Sequence, residues 1–77
     1  MILYTKTLCR NCLWAKSEIE SLDIVNQVQI INLDEAENDH LKEKFSEMGI
    51  MAAPILEVDG QFYSNILEII EKFQGLV

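Results

Sequence analysis

The chain has 77 residues and a net charge of −7 at pH 7, with 49% hydrophobic and 25% charged residues. This length allows a single small domain over residues 1–77, and the composition is that of a folded globule rather than a disordered segment. The negative charge argues against nucleic acid or an anionic membrane as a partner, and we expect a monomer.

The N-terminal residues predict a strand rather than a targeting segment. Residues 1–4 lack the charged, apolar and small-residue zones of a signal peptide. No apolar run approaches the roughly 20 residues that a membrane-spanning helix needs. We therefore expect a cytosolic protein. In that reducing compartment, two nearby cysteines are more often catalytic or metal-binding than structural.

The first half of the chain alternates strands and helices. Residues 2–4 predict a short strand, and a helix follows over about residues 10–22. The apolar positions of this helix recur at helical spacing and are Cys12, Ala15, Ile19 and Leu22. Residues 27–33 predict a second strand, and their dense run of Val, Ile and Leu is typical of a strand that is covered on both faces.

A second helix is predicted over about residues 35–48, with Gly49 just past its C-terminal end. The apolar stripe of this helix is Leu41, Phe45 and Met48. Acidic residues cluster at its start, and we expect them to form a solvated face that complements the helix dipole. These residues are Asp34, Glu35, Glu37 and Asp39.

The second half of the chain predicts a hairpin and a final helix. Residues 55–58 and 61–63 are apolar strands separated by Asp59-Gly60, a strong two-residue turn signal. Ser64 or Asn65 then caps a helix whose apolar stripe is Ile66, Ile69, Ile70 and Phe73. The order β-α-β-α-β-β-α, with a right-handed first crossover, predicts an α/β fold in which helices flank a mixed four-stranded sheet.

The two cysteines of the chain, Cys9 and Cys12, lie where the first strand leads into the first helix. The unpaired N–H groups and positive dipole end of that helix favour a thiolate over a thiol at Cys9. Cys12 follows three residues later, on the same helical face and within bonding distance. This spacing predicts a reversible disulfide and therefore thiol–disulfide exchange.

Basic residues surround the two cysteines. Residues 1–17 contain no acid but hold Lys6, Arg10 and Lys16, half of all the basic residues in the chain. A positive rim of this kind would stabilise a thiolate, although chance in a short stretch also accounts for it. Arg10 is equally well interpreted as a solvated residue at the start of the helix.

The chain resembles the glutaredoxin branch of the thioredoxin superfamily. Its Y-T-K-x-x-C-x-x-C motif at residues 4–12 is similar to the family's active-site turn, and M-A-A-P at residues 51–54 to its cis-proline loop. The resemblance covers essentially the whole chain and implies a thioredoxin/glutaredoxin-like fold. Within the branch, the chain is most similar to the small NrdH-type redoxins that reduce class Ib ribonucleotide reductase.

The resemblance also implies roles for individual residues. Cys9 is the expected nucleophile, and Cys12 is the resolving thiol. The Ala53-Pro54 bond is expected to be cis, so that the backbone of Ala53 faces the disulfide and pairs with an extended substrate, and Pro54 keeps metal ions from bridging the thiols. The expected substrate-binding residues are Lys6, Arg10, Ala53, Pro54, Ser64 and Asn65.

The final turn departs from that of glutathione-binding relatives. Those proteins carry Gly-Gly and then an acid there, where this chain has Ser64-Asn65 and Leu67, with Glu68 the only acid nearby. Glutathione should therefore bind weakly, although Lys6 can still meet a carboxylate. We expect no bound cofactor. The external donor is thioredoxin reductase with NADPH, or glutathione, and the recipient is a protein disulfide, with ribonucleotide reductase as the candidate.

Two alternatives to this dithiol electron carrier remain open. The first is a glutathione-dependent dithiol glutaredoxin. The second is a soft-metal module such as a copper chaperone, which also places C-x-x-C after its first strand, where thiolates suit Cu(I). The order of those modules is β-α-β-β-α-β and ends on a strand, whereas a final helix is predicted here.

Overall fold

The computed structural model describes residues 1–77 and contains four strands and three α-helices in the predicted order. The strands are β1 (Ile2–Thr5), β2 (Gln29–Asn32), β3 (Ile55–Val58) and β4 (Gln61–Tyr63). The helices are α1 (Arg10–Ser21), α2 (Asp39–Glu47) and α3 (Ile66–Gln74). The chain ends on a helix, unlike the metal-carrying modules considered above.

The strands form one mixed sheet in the order β2-β1-β3-β4. The central strand β1 runs parallel to β2 and antiparallel to β3, and β3 pairs with β4 as an antiparallel hairpin. The predicted α/β fold with a mixed four-stranded sheet is confirmed, and it is thioredoxin-like. Because β1 lies between β2 and β3, the segment that follows its C-terminal end leaves the sheet between the ends of these two neighbouring strands.

Alternate residues of β1 point into two separate cores, as expected for a strand with helices on both faces. Leu3 belongs to the larger core, which packs against α1 and α3 and consists of Leu3, Ala15, Ile19, Ile24, Val28, Leu56, Ile69, Ile70 and Phe73. Tyr4 belongs to the smaller core, which packs against α2 and consists of Tyr4, Leu33, Phe45 and Ile55. Burial and the hydrogen bond from its hydroxyl to Glu57 raise the pKa of Tyr4 to about 12.

The second strand differs from its prediction in length and in burial. It covers Gln29–Asn32 rather than residues 27–33, because Val25–Gln27 forms a 3-10 turn before it. The prediction that both faces of this strand are covered was wrong, since Ile30 remains 43% exposed. The physical reason is that β2 lies at the edge of the sheet, where a strand has only one neighbour.

The second helix is shorter than predicted. It begins at Asp39 rather than near residue 35, because Ala36–Asn38 forms a separate 3-10 turn. Phe45 is buried as expected, but Met48 is exposed. Met48 caps the helix, and Gly49 follows with φ of +80°, so the chain turns away before Met48 reaches the core.

The hairpin and the start of α3 agree with their predictions. Asp59 and Gly60 both have positive φ, at 49° and 78°, as a type I′ turn requires. Asn65 is the N-cap of α3, and its side-chain oxygen accepts from the N–H groups of Leu67 and Glu68. None of the three helices has the length and apolar character needed to cross a membrane.

Candidate active site

Cys9 and Cys12 form a disulfide at the start of α1, with 5.2 Å between their Cα atoms. Cys9 is the N-cap residue of the helix, in an extended conformation, and the N–H of Cys12 donates to its Sγ over 3.1 Å. Cys9 is partly exposed, whereas Cys12 is only 1% exposed. One sulfur therefore faces solvent within reach of helix N–H groups, and the other lies behind it.

The predicted cis bond between Ala53 and Pro54 is present. Pro54 is buried directly before β3, and the carbonyl oxygen of Ala53 lies 3.6 Å from Sγ of Cys9. Antiparallel pairing of β1 with β3, in which Tyr4 is opposite Ile55, explains this approach. The loop after β1 and the loop before β3 therefore lie next to each other, at the same end of the two paired strands.

Lys6 joins these two loops. Its Nζ donates to the carbonyl oxygen of Met51 over 3.2 Å, so the start of the active-site turn is held against the loop that carries Pro54. Arg10 is the first residue of α1, and its exposed side chain makes no hydrogen bond or ion pair. Lys6, Cys9 and Ala53 are thus brought together, while Arg10 extends into solvent beside them.

Asp34 fixes the other side of the turn. Its carboxylate accepts from the backbone N–H of Thr7 over 2.7 Å and forms an ion pair with Lys42 at 2.9 Å. The hydrogen bond from Lys42, and then that from Thr7, lower the pKa of the Asp34 carboxyl. Asp34 is exposed, as predicted, but its placement at the start of the second helix was wrong, because α2 begins only at Asp39.

The register of the two parallel strands explains this contact, which no local sequence pattern indicates. Thr5 and Asn32 are opposite each other at the ends of the parallel strands β1 and β2. Thr7 and Asp34, each two positions further along the chain, therefore lie side by side beyond the ends of the two strands. The side-chain oxygen of Asn32 also accepts from the N–H of Asp34 over 2.8 Å, which orients the acid toward the turn.

Ser64 and Asn65, the other two predicted substrate-binding residues, make no contact by hydrogen bond with the cysteine turn or with the cis-proline loop. Both are exposed at the start of α3. The side-chain oxygen of Asn65 is occupied by capping, at 2.9 Å from the N–H of Leu67 and 3.4 Å from that of Glu68. The side chain of Leu67 is exposed.

A cavity of about 350 Å³ opens beside the disulfide. We call it the Lys16 groove, and its lining residues are Lys6, Thr7, Leu8, Cys9, Cys12, Leu13, Lys16 and Asn32. A larger cavity of about 540 Å³ lies along α2 and contains neither cysteine. Of the two cavities, only the Lys16 groove includes the reactive atoms. No group of three or more His, Cys, Asp or Glu side chains is placed to hold a metal ion.

Comparisons with known proteins agree with this geometry. The Glutaredoxin family model matches residues 1–63, which include the cysteine turn, the cis-proline loop and the hairpin. The crystal structure of Gtt2 from Saccharomyces cerevisiae is similar, with a TM-score of 0.76 and 20% sequence identity over 99% of this chain and 38% of Gtt2. The chain thus spans well under half of Gtt2, and this likeness concerns the fold.

Among curated proteins, no sequence matches the chain. The family match nevertheless covers most of its length, and the matched part contains both cysteines and the cis-proline. The chain belongs to the glutaredoxin family.

Proposed function

We propose that the chain is a dithiol oxidoreductase that reduces protein disulfides. The observation that carries this proposal is the environment of Cys9, whose sulfur caps α1 and accepts the N–H of Cys12 over 3.1 Å. A helix N-terminus of this kind stabilises a thiolate, which is the nucleophilic form of cysteine. Cys9 is also accessible to a substrate, and Cys12 is buried within bonding distance of it.

The reaction uses both sulfurs in turn. The Cys9 thiolate attacks one sulfur of the substrate disulfide, forms a mixed disulfide with it and releases the other substrate sulfur as a thiolate. Cys12, as its thiolate, then attacks Sγ of Cys9 and releases the second substrate thiolate. Two electrons pass to the substrate, and the Cys9–Cys12 disulfide remains. An external reductant then restores the dithiol.

The surrounding residues position the substrate in this proposal. The backbone of Ala53, next to Sγ of Cys9, pairs with an extended substrate segment, and Pro54 holds that backbone in place. Lys6 and Arg10 supply positive charge beside the developing thiolate. Ser64 and Asn65, exposed at the start of α3, are assigned to substrate binding only by the resemblance to the family.

Thioredoxin reductase with NADPH is the donor we favour over glutathione. Side chains at Ser64 and Asn65 hinder the close backbone approach that glycine permits, and the Asn65 oxygen is already used in capping. Leu67 offers no charge to the amino group of glutathione. Losing one charge-assisted hydrogen bond costs ~1.5–3 kcal/mol, about ten- to a hundredfold in affinity.

The recipient we favour is a ribonucleotide reductase, by similarity to the NrdH-type redoxins. The Y-T-K segment before the cysteines and the A-A-P of the cis-proline loop support this subtype. A cytosolic location agrees with it, because glutathione and thioredoxin systems keep such a cysteine pair reduced there.

A glutathione-dependent glutaredoxin is the second candidate. Its support is Lys6, whose ammonium group lies on the loop beside Cys9 and Ala53 and can meet a carboxylate of glutathione. The two candidates share the chemistry of Cys9 and Cys12. They differ only in which donor reduces the disulfide.

Turnover with two reductase systems separates the candidates. The oxidised protein is mixed with a protein disulfide substrate and NADPH, and with either thioredoxin reductase or glutathione plus glutathione reductase. We expect faster NADPH consumption with thioredoxin reductase, and none above background for Cys9→Ser. Glutathione titration, followed through the amide signals of Ser64, Asn65 and Ala53, should show only weak binding. Submillimolar binding with efficient glutathione-driven turnover would establish the second candidate instead.

A further inference from the structure

We propose that the Lys16 groove binds an acidic, leucine-bearing segment of a protein substrate, next to the cystine that Cys9 attacks. The inference rests on the proposed function and adds the class of substrate. The groove contains both cysteines, so a segment lying in it is adjacent to the reacting sulfurs. Three features of the groove carry the inference: its charge, its exposed leucines and its position relative to Ala53.

The charge of the groove opposes that of the rest of the molecule. Lys6 and Lys16 line it, and no acidic side chain does, although the chain has a net charge of −7. Asp34 reaches the wall at Thr7, but its carboxylate is already paired with Lys42. The free charge of the groove is therefore positive, which is complementary to carboxylates on a partner.

Two leucines beside these lysines are exposed. Leu13 is 65% exposed and lies one helical turn before Lys16 on the same face of α1. Leu8 is fully exposed and has a φ of +54°, a backbone region that disfavours a branched side chain. Leu8 contributes no burial to the fold that would offset this conformation. A contact made only in the complex with a substrate accounts for its presence.

The groove extends from Cys9 toward the end of β2 rather than toward the cis-proline residues. Ala53 and Pro54 do not line it, whereas Asn32 at the end of β2 does. A substrate strand that pairs with Ala53 thus reaches Cys9 from one side. The residues on the other side of its cysteine continue into the Lys16 groove, where Leu8, Leu13 and Lys16 meet them.

Single-turnover rates test the charge preference without reference to the donor. The protein is reduced beforehand and mixed with one of two cyclic disulfide peptides, whose cystine is flanked on both sides by either Glu-Leu-Glu or Lys-Leu-Lys. The wild type should reduce the acidic peptide faster. Lys16→Glu should lower the acidic-to-basic rate ratio by about tenfold, because attraction becomes repulsion. Lys44→Glu on α2 changes the net charge equally but lies outside the groove, and it should keep the wild-type ratio.

A second comparison tests the leucine contact. Replacing both Leu residues of the peptide by Gly should slow the wild type, and this difference should disappear in Leu8→Asn, whose side chain tolerates positive φ. A wild type that reduces both charged peptides equally, or Lys44→Glu acting like Lys16→Glu, overturns the groove assignment and leaves the proposed function intact. If the protein reduces neither peptide and also fails to reduce hydroxyethyl disulfide, the proposed function itself is overturned.

Discussion

At Cys9 and Cys12, two identical side chains receive different environments although only two residues separate them. Cys9 precedes the first turn of α1, where its sulfur accepts an N–H and remains open to solvent. Cys12 lies inside that turn and is buried among core residues. The helix N-terminus thus gives the two sulfurs the difference in exposure that the proposed attacking and resolving roles require.

This division predicts unequal alkylation of the reduced protein. Cys9 should react with iodoacetamide about tenfold faster than Cys12, or more, because only Cys9 combines exposure with thiolate stabilisation. Mass mapping of the labelled cysteine after a brief reaction at neutral pH measures the ratio. Equal labelling, or Cys12 labelled first, would reverse the assigned roles.

The same assignment has a consequence for trapping. Cys12→Ser should accumulate a mixed disulfide with a protein substrate, because the resolving step is lost. Cys9→Ser should accumulate little, since its remaining sulfur is buried. Non-reducing electrophoresis of the two variants after exposure to the same substrate distinguishes them.

At the scale of elements, one carboxylate connects three segments. Asp34 follows β2, accepts from Thr7 in the turn after β1 and pairs with Lys42 on α2. The connection holds the cysteine turn from the side opposite Lys6 and Met51. The turn is therefore supported at Lys6 and at Thr7, immediately before the reactive sulfur.

Stability should depend on pH through Asp34. The pKa of the Asp34 carboxyl is lowered in the folded state. The ionised carboxylate therefore contributes to the free energy of unfolding above the ordinary pKa of 3.8, and this contribution is lost as pH falls through the lowered pKa. Asp34→Asn should have a lower melting temperature than the wild type at neutral pH, and this gap should shrink toward about pH 2. Asp59→Asn, in the β3–β4 turn, serves as the control. A gap that stays constant with pH would contradict the assignment.

Local patterns predicted most elements, and the misses have identifiable causes. The hairpin strands and the caps at Gly49 and Asn65 follow from residues that act on their own neighbours. The exposure of Ile30 depends on strand order, which its own segment does not encode. The late start of α2 depends on the Asn38 side chain, which donates to the carbonyl of Asn32 over 2.8 Å and favours a separate turn.

The features of the candidate site also separate into those that the sequence predicted and those that depend on the packing of the fold. Cys9 and Cys12 follow from a motif that is short in sequence, whereas the cis Ala53-Pro54 bond was implied by the resemblance to the family. The contact of Asp34 with Thr7 requires the register of two parallel strands, and the Lys16 groove requires the packing of α1 beside β2. Motif spacing therefore predicts the reacting atoms better than it predicts the surface that selects their substrate.

At the scale of the molecule, the two faces of the sheet are unequally packed. Helices α1 and α3 each bury three residues and share the larger core, whereas α2 buries only Phe45. Burial of apolar surface is the main stabilising contribution to a small domain. The α2 face should therefore be the easier one to open.

Native-state hydrogen exchange tests this inequality. Amides in α2 should exchange through openings of lower free energy than those in α1 and α3, because fewer buried contacts break. Residue-resolved exchange at low denaturant concentration measures these free energies. Protection of α2 equal to that of α3 would show that the smaller core contributes as much as the larger one.

Charge is unevenly distributed over the surface of the molecule. The lining of the Lys16 groove beside the disulfide holds two lysines and no acid, although the net charge of the chain is −7. Within roughly the 8 Å Debye length of physiological salt, this locally positive surface favours encounters in which an acidic segment of a partner approaches the disulfide. Long-range steering speeds encounter without tightening the bound complex. In the proposed function, in which the protein leaves each partner after delivering two electrons, this would speed the encounter without prolonging the complex.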